Sequence, residues 1–204
     1  HTKALYTLSK HLDIPIYTSL GTARAICSES KGARNVLERI AGNIRTVNPH
    51  ETYEVGSLNV TPFSIPHDAA DPLGFRIESE EEKRSVTYAT DTGCVTREML
   101  EFFEGTTSAV IESNHDRDML INGKYPEFLK QRILSDKGHL SNETSSRFAL
   151  WLCQNGTEKI CLAHLSKDNN TPEIARAASE ERLIKNNFTN TVFVASQDFS
   201  VEVN

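Results

Sequence analysis

The sequence predicts an α/β protein, a layered sandwich of helices on sheet. Two patterns predict it. From about Ile44, strand-like segments follow one another, and from Arg97 onward they alternate with helix-like segments. In addition, four histidines and one aspartate stand in short polar turns just after apolar runs. They are His67 in SIPHDAADP, Asp91 in YATDTG, His115 in VIESNHD, His139 in DKGHLSN and His164 in ICLAHLSKDNN. Repeated strand–turn–ligand units are how a sheet presents metal ligands from loops at one edge.

Taken in order, Thr2–His11 carries Leu5 and Leu8 at helical spacing, and Ile14–Thr18 reads as a short buried strand with Pro15 at its start. Gly21–Ile26 and Arg34–Ile40 predict short helices separated by Lys31-Gly32. Strands follow at Asn48–Val55, Leu58–Ile65 and Leu73–Glu78. The run Glu80–Arg84 forms a charged hairpin tip that leads into Ser85–Ala89. Thr96 caps a helix over Arg97–Phe103, and Ser108–Glu112 is a buried strand. Asp118–Leu120 and Pro126–Ile133 are helical, and Ser141–Cys153 is a stronger helix with Phe148, Trp151 and Leu152 toward the core. Lys159–Ala163 is a strand, Thr171-Pro172 opens a helix over Glu173–Lys185, and Val192–Ala195 and Phe199–Val203 are late strands.

The chain has 204 residues, 38% hydrophobic and 25% charged, which suits a globular protein. It contains no repeat, linker or low-complexity segment, so one domain over residues 1–204 is expected. No run is long enough for a membrane span. Cys27, Cys94, Cys153 and Cys161 are scattered without a CxxC pair, which fits reduced thiols and a cytoplasmic location and argues against structural zinc held by cysteine. The net charge of −6 argues mildly against wholesale wrapping of nucleic acid but leaves room for a local basic groove. The chain opens on His1 without an initiating methionine and reads as the later part of a longer protein; the alternative is that His1 is left over from cloning.

Singly, each turn has a plain structural reading. Asp91 bridges two cations or caps the following helix. His67, flanked by Asp68, and His164, followed by Ser166, Asp168, Asn169 and Asn170, are ligands or hydrogen-bonded loop residues. His139, before the capping residues Ser141 and Asn142, starts a helix or donates a proton. Together, in one acidic chain, they favour a metal site. Nucleophile elbows and phosphate-binding glycine loops are absent, and Cys94, near Asp91, has no evident base.

In this order and spacing HDAADPLGF, ATDTG, ESNHD, GHLSN and AHLSKDNN resemble the metallo-β-lactamase fold superfamily, and within it the YycJ (WalJ) type of metal-dependent hydrolase. The resemblance runs from His1 to about Ala178. It implies an αββα sandwich whose N-terminal strands and first metal motif, HxHxDH, lie upstream apart from its last histidine, matched by His1. It implies two divalent ions, zinc, manganese or iron, held by His1, His67, Asp91 and His164, with Asp91 bridging. It gives His139 the part of proton donor and Glu112 that of its orienting carboxylate. Asp68, Asn114, His115, Ser166, Asp168 and Asn169 would line the site. The activity implied is hydrolysis by a metal-bound hydroxide, of phosphodiesters in nucleic acid, with resemblance to DNA exonucleases working from a 5′ end. The alternatives are a small-ester, thioester or lactam hydrolase on the same site, or an inactive metal-binding or regulatory module.

Overall fold

The structure is a computed structural model that describes residues 5, 14–28, 42–197 and 199–202. The sequence readings at His1, Thr2–His11, Lys31-Gly32 and Arg34–Ile40 lie outside the described residues, Leu5 apart. A two-stranded parallel sheet pairs β1 (Ile16–Thr18) with β2 (Ile44–Thr46), with helix α1 (Leu20–Ser28) following β1.

The main sheet has seven strands in chain order: β3 (Tyr53–Val55), β4 (Leu58–Ser64), β5 (Leu73–Ser79), β6 (Arg84–Ala89), β7 (Ser108–Glu112), β8 (Lys159–Ala163) and β9 (Val192–Val194). β3 to β6 form an antiparallel meander and β6 to β9 run parallel. Parallel neighbours need crossovers. These are α2 (Arg97–Phe103); then α3 (Arg117–Asn122), α4 (Glu127–Leu134) and α5 (Asn142–Gln154) in one connection; and α6 (Pro172–Lys185). Thr96, Asp116, Ser141 and Thr171 cap α2, α3, α5 and α6 by accepting backbone N–H bonds, each worth about 1 kcal/mol. Thr96 holds the α2 cap, so Asp91 is not spent on it.

Strand register builds the core. Phe63, Gly74, Ala89, Ile111, Leu162 and Val194 form one cross-strand row. Met99 and Phe103 of α2, Phe148 and Leu152 of α5 and Leu183 of α6 belong to the same buried cluster. The alternate row, which includes Phe75, Tyr88, Val110 and Phe193, faces the other way, where Tyr88 keeps 40% of its surface exposed. β4 and the parallel strands β6, β7 and β8 all end at one edge of the sheet. That is where the His67, Asp91, Asn114 and His164 turns begin.

Two strand expectations are corrected. Residues 48–52 are not strand: His50 adopts a left-handed conformation, φ 69°, and its N–H meets the Pro62 carbonyl, so the chain turns before β3. Residues 199–202 are not strand either; β9 ends at Val194, and Phe199 is 79% exposed.

Close backbone contacts help fit the loops together at this edge. Gly93 donates its N–H to Pro66, and the Asp68 N–H bonds to the Lys137 carbonyl. A Cβ on Gly93 would lie 2.3 Å from the Asp136 backbone, and one on Gly138 would lie 2.2 Å from the Ile133 carbonyl oxygen. His115, just past β7, is 1% exposed, and neither ring nitrogen has a hydrogen-bond partner among the described residues. Burial, the largest influence, holds its imidazole down from 6.5 to about 4; the charges of Glu112, His139, Asp116 and Arg117 act less and in opposing senses.

Two stability outcomes are expected. Gly138→Ala forces backbone apart and destabilises by about 1–3 kcal/mol, a drop of several degrees in the thermal midpoint. Gly42→Ala, with open space around it, should change stability by less than about 0.5 kcal/mol. Equal midpoints for both variants would refute the close-packing account. His115 stays neutral in the fold while the unfolded chain takes up a proton below about 6.5, so it removes stability as pH falls from 6.5 toward 4. Denaturant titration at pH about 7 and about 5 should show a loss of roughly 2 kcal/mol from this source, absent in His115→Leu. His164, raised chiefly by its Glu112 hydrogen bond, contributes with the opposite sign but equally in both proteins. An unchanged slope in His115→Leu would exonerate His115.

Candidate metal centre

Three loops converge on Glu112, the last residue of β7, whose side chain is completely buried. Its carboxylate accepts five hydrogen bonds: from Nδ1 of His139 at 2.9 Å, from Nδ1 of His164 at 2.6 Å, and from the backbone N–H of Asp91, Thr92 and Leu140. Burial, the largest influence, would raise this carboxyl. The hydrogen bonds from His139 and His164, with their charge and the Leu140 N–H, outweigh it and hold Glu112 below the usual carboxylate range. In return, the Glu112 bond holds His164 above the usual imidazole value, against its burial and with help from Asp91.

Because Nδ1–H of His139 and His164 points at Glu112, Nε2 of each neutral ring carries the lone pair. His67 follows the same rule with another acceptor, its Nδ1 lying 3.1 Å from the Gly138 carbonyl oxygen. The three imidazoles stand in a row, with ring centroids 5.1 Å apart for His67 and His139 and 5.2 Å for His139 and His164. Asp91 Oδ1 lies between two of them, 3.8 Å from His67 Nε2 and 3.5 Å from His164 Nε2. Donors around a tetrahedral ion bonded at 2.0–2.2 Å stand roughly 3.3–3.6 Å apart, so Asp91 and His164 stand at the spacing of two ligands of one ion, whereas His67, at 3.8 Å from Asp91, stands slightly beyond it. Asp91, Glu112, His139 and His164 also offer ligand atoms within 4.8 Å of one another. Glu112 belongs to that group by distance only, since both of its oxygens are committed to hydrogen bonds.

Asp91 and His164 both have φ of 57°, a left-handed conformation, which costs a non-glycine residue roughly 1–2 kcal/mol. Each lies just beyond the end of its strand, Asp91 after β6 and His164 after β8, so the strained turn brings the side chain back over the sheet edge. Beneath them lies a buried amide network. Ser113 bonds to Asn142, Asn142 to Asn170, and Asn170 to the backbone carbonyls of Ser113 and Asn114, while the Asn114 amide holds the His164 carbonyl.

A cavity of about 350 Å³ opens beside His139 and His164. Of the residues read as site-lining in the sequence, Asp68, Asn114 and Ser166 stand in its wall. His115, Asp168 and Asn169 do not: His115 and Asn169 are buried, and exposed Asp168 is bonded to Lys124 and Tyr125. Sequence reading missed Arg132, Tyr125, Lys167 and Gln197 in the cavity wall. Arg132 pairs with Asp68, 64 positions away, and helix α4 carries no local mark of that contact. Cys94 is pushed up by burial and then by Asp136, which disfavours a thiolate.

The sequence matches the family model described as the beta-lactamase superfamily domain over residues 1–165. It is 35% identical over 195 residues to the exodeoxyribonuclease YycJ of Bacillus anthracis, covering 92% of this chain and 68% of that protein. It is 39% identical over 133 residues to the exodeoxyribonuclease WalJ of Streptococcus pneumoniae serotype 2, 65% of this chain and 49% of that one. Solved structures share the fold at low identity. Zinc-bound PqqB from Methylobacterium extorquens superposes with a TM-score of 0.66 at 20% identity, over 94% of this chain and 65% of that one. The short form of human tRNase Z gives 0.60 at 15%, over 98% and 72%. This mixed α/β chain, with its candidate ligands on loops at one sheet edge, belongs to the metallo-β-lactamase fold superfamily and to its YycJ and WalJ type.

Proposed function

We propose that this protein is a metal-dependent phosphodiesterase acting on DNA as an exonuclease. Its family places it among hydrolases that use divalent ions, and two of its relatives are named exodeoxyribonucleases. The observation that carries the reading is His139: a buried carboxylate holds its Nδ1, and it stands in a cavity wall beside the candidate ligands. An alkoxide leaving group needs a proton, whereas a thiolate leaves with little help, so a positioned donor favours a phosphodiester over a thioester.

His67, Asp91 and His164 would hold two divalent ions, with Asp91 shared; His1 is a further candidate outside the described residues. Such ions supply a nucleophile at neutral pH and neutralise charge on the phosphoryl oxygens. Mixed imidazole and carboxylate donors suit zinc, manganese or iron. The protein's own part is orientation and proton transfer. Glu112 fixes the His139 ring and offsets the charge of its protonated form, so Nε2–H is available to the departing 3′ or 5′ oxygen. The same carboxylate fixes His164, which couples the proton donor to a candidate ligand through one anchor. No described helix is long and apolar enough to cross a membrane, and the free thiols of Cys94, Cys153 and Cys161 support a cytoplasmic location.

Two outcomes test this reading. Asp91→Ala should strip metal from both positions and His164→Ala mainly from one, measured by elemental analysis; full metal retention in Asp91→Ala would sink the bridging role. His139→Ala should slow cleavage of an unactivated DNA strand by about 10²–10⁴-fold with metal content unchanged. It should slow bis(p-nitrophenyl) phosphate far less, because nitrophenolate leaves without a proton. Equal losses on the two substrates would remove His139 as the donor.

A further inference from the structure

The cavity beside His139 is one end of a longer groove. A second cavity, of about 510 Å³, shares Leu165, Ser166, Lys167 and Gln197 with the first, so the two adjoin at the loop between β8 and α6. The second is walled by Pro172 and Arg176 of α6 and by Val194 of β9.

Charge along this groove is uneven. The carboxylates near its first half are already matched: Asp68 by Arg132, and Asp168 by Lys124 and the Tyr125 hydroxyl. Lys167 and Arg176 are exposed, and neither forms an ion pair among the described residues. Arg132, with its Nε on Asp68, forms no second ion pair among them. Two unpaired cations, Lys167 and Arg176, thus follow Arg132, whose charge Asp68 already balances, away from the candidate metal centre. Between them lie the half-buried side chain of Leu165 and the exposed ring of Pro172.

We propose that this groove is the track of single-stranded nucleic acid leading to or from the metal centre, with Arg132, Lys167 and Arg176 meeting successive backbone phosphates. A positively charged groove tracks the backbone of a single strand, and Tyr125, an aromatic side chain in the wall of the first cavity, offers a face on which an unstacked base can lie, whereas duplex DNA offers only phosphate and groove edges. Arg132 has guanidinium N–H groups beyond the one on Asp68, enough to clamp a phosphate oxygen pair. This assignment rests on the phosphodiesterase reading, which sets a scissile phosphate beside His139.

The test is binding of single-stranded oligodeoxythymidylate with a cleavage-resistant phosphorothioate backbone to the metal-loaded protein, by fluorescence anisotropy over a salt series. For single strands the slope of log K against log salt is about −0.7 per phosphate neutralised. Lys167→Gln and Arg176→Gln should each make the slope shallower by about 0.7, and the double variant by about 1.4. Lys83→Gln, in the turn between β5 and β6, should leave it unchanged. Unchanged slopes in both groove variants would overturn the proposal. So would displacement of the strand by thymidine monophosphate with equal affinity, which would mean a mononucleotide pocket only, or tighter binding of duplex with the same sensitivity. Hydrolysis of bis(p-nitrophenyl) phosphate by the same wild-type preparation reports on the metal centre separately. A protein that cleaves it while its groove variants keep the wild-type slope refutes the track alone. A protein that binds the strand through Lys167 and Arg176 yet cleaves no diester supports the track and refutes the reaction.

Discussion

The site depends on one buried negative charge. Removing a carboxylate from water costs several kcal/mol even after relaxation, and Glu112 recovers that only because five donors converge on it. Those donors belong to the turn after β6, the residues before α5 and the turn after β8. Their convergence is therefore not separable from the ionisation of Glu112. A buried carboxylate with any of these donors removed would be left under-solvated, so the loops are held in register by the energetic need of the charge they surround. The same arrangement settles the tautomers. An imidazole that donates Nδ1–H inward presents Nε2 outward, and the choice is made inside the core, where solvent does not compete.

Strain elsewhere follows from this anchoring. The parallel strands end at one level, and the side chains of Asp91 and His164 must turn back toward a common point from the first positions beyond them. Left-handed backbone at both positions, φ 57° each, is the local cost. It is offset by the Glu112 bonds to the Asp91 N–H and the His164 ring, and by the Asn114 amide on the His164 carbonyl. Gly93 serves the same convergence by another route, because the loops carrying Asp91 and His139 approach one another closer than a Cβ permits, and Gly138 lets the chain turn tightly back on the end of α4. Contacts of this kind tolerate little adjustment, which suits a centre whose donors must stay within a few tenths of an ångström.

Much of this was legible in the sequence where the signal is local. Strand alternation, capping residues and the Thr171-Pro172 helix start place the elements between Leu58 and Lys185 within a residue or two, because each depends on neighbours a few positions away. The resemblance supplied the pairing of Glu112 with His139, and the structure brings them to 2.9 Å. Other features depend on contacts that periodicity does not encode. Nothing in SAVIE marks its glutamate as the acceptor for His164, 52 positions on, nor does QRILS mark Arg132 as the partner of Asp68. The strand expected at Asn48 failed because a single left-handed residue, His50, breaks an otherwise extended pattern. The one expected at Phe199 failed because β9 is the edge of the sheet and no described strand pairs beyond it.

Net charge is a poor guide to what such a site attracts. A chain at −6 repels a polyanion at long range, yet at physiological salt a surface charge is screened beyond roughly 8 Å, so what a bound phosphate meets is the nearest shell. Several of the acidic side chains lie away from the metal centre, in the turn between β5 and β6 (Glu80, Glu81, Glu82) and at Glu54 and Glu78, on strands of the meander. Around the centre, Asp68 and Asp168 are each paired with a cation, while Lys167 and Arg176 form no ion pair among the described residues. Glu112, the carboxylate deepest in the site, shares its charge between two imidazoles and three amides. An acidic protein can in this way keep a locally cationic approach to its metal-binding edge. The net charge then disfavours indiscriminate binding of polyanions, while the unpaired cations near His139 set the local potential.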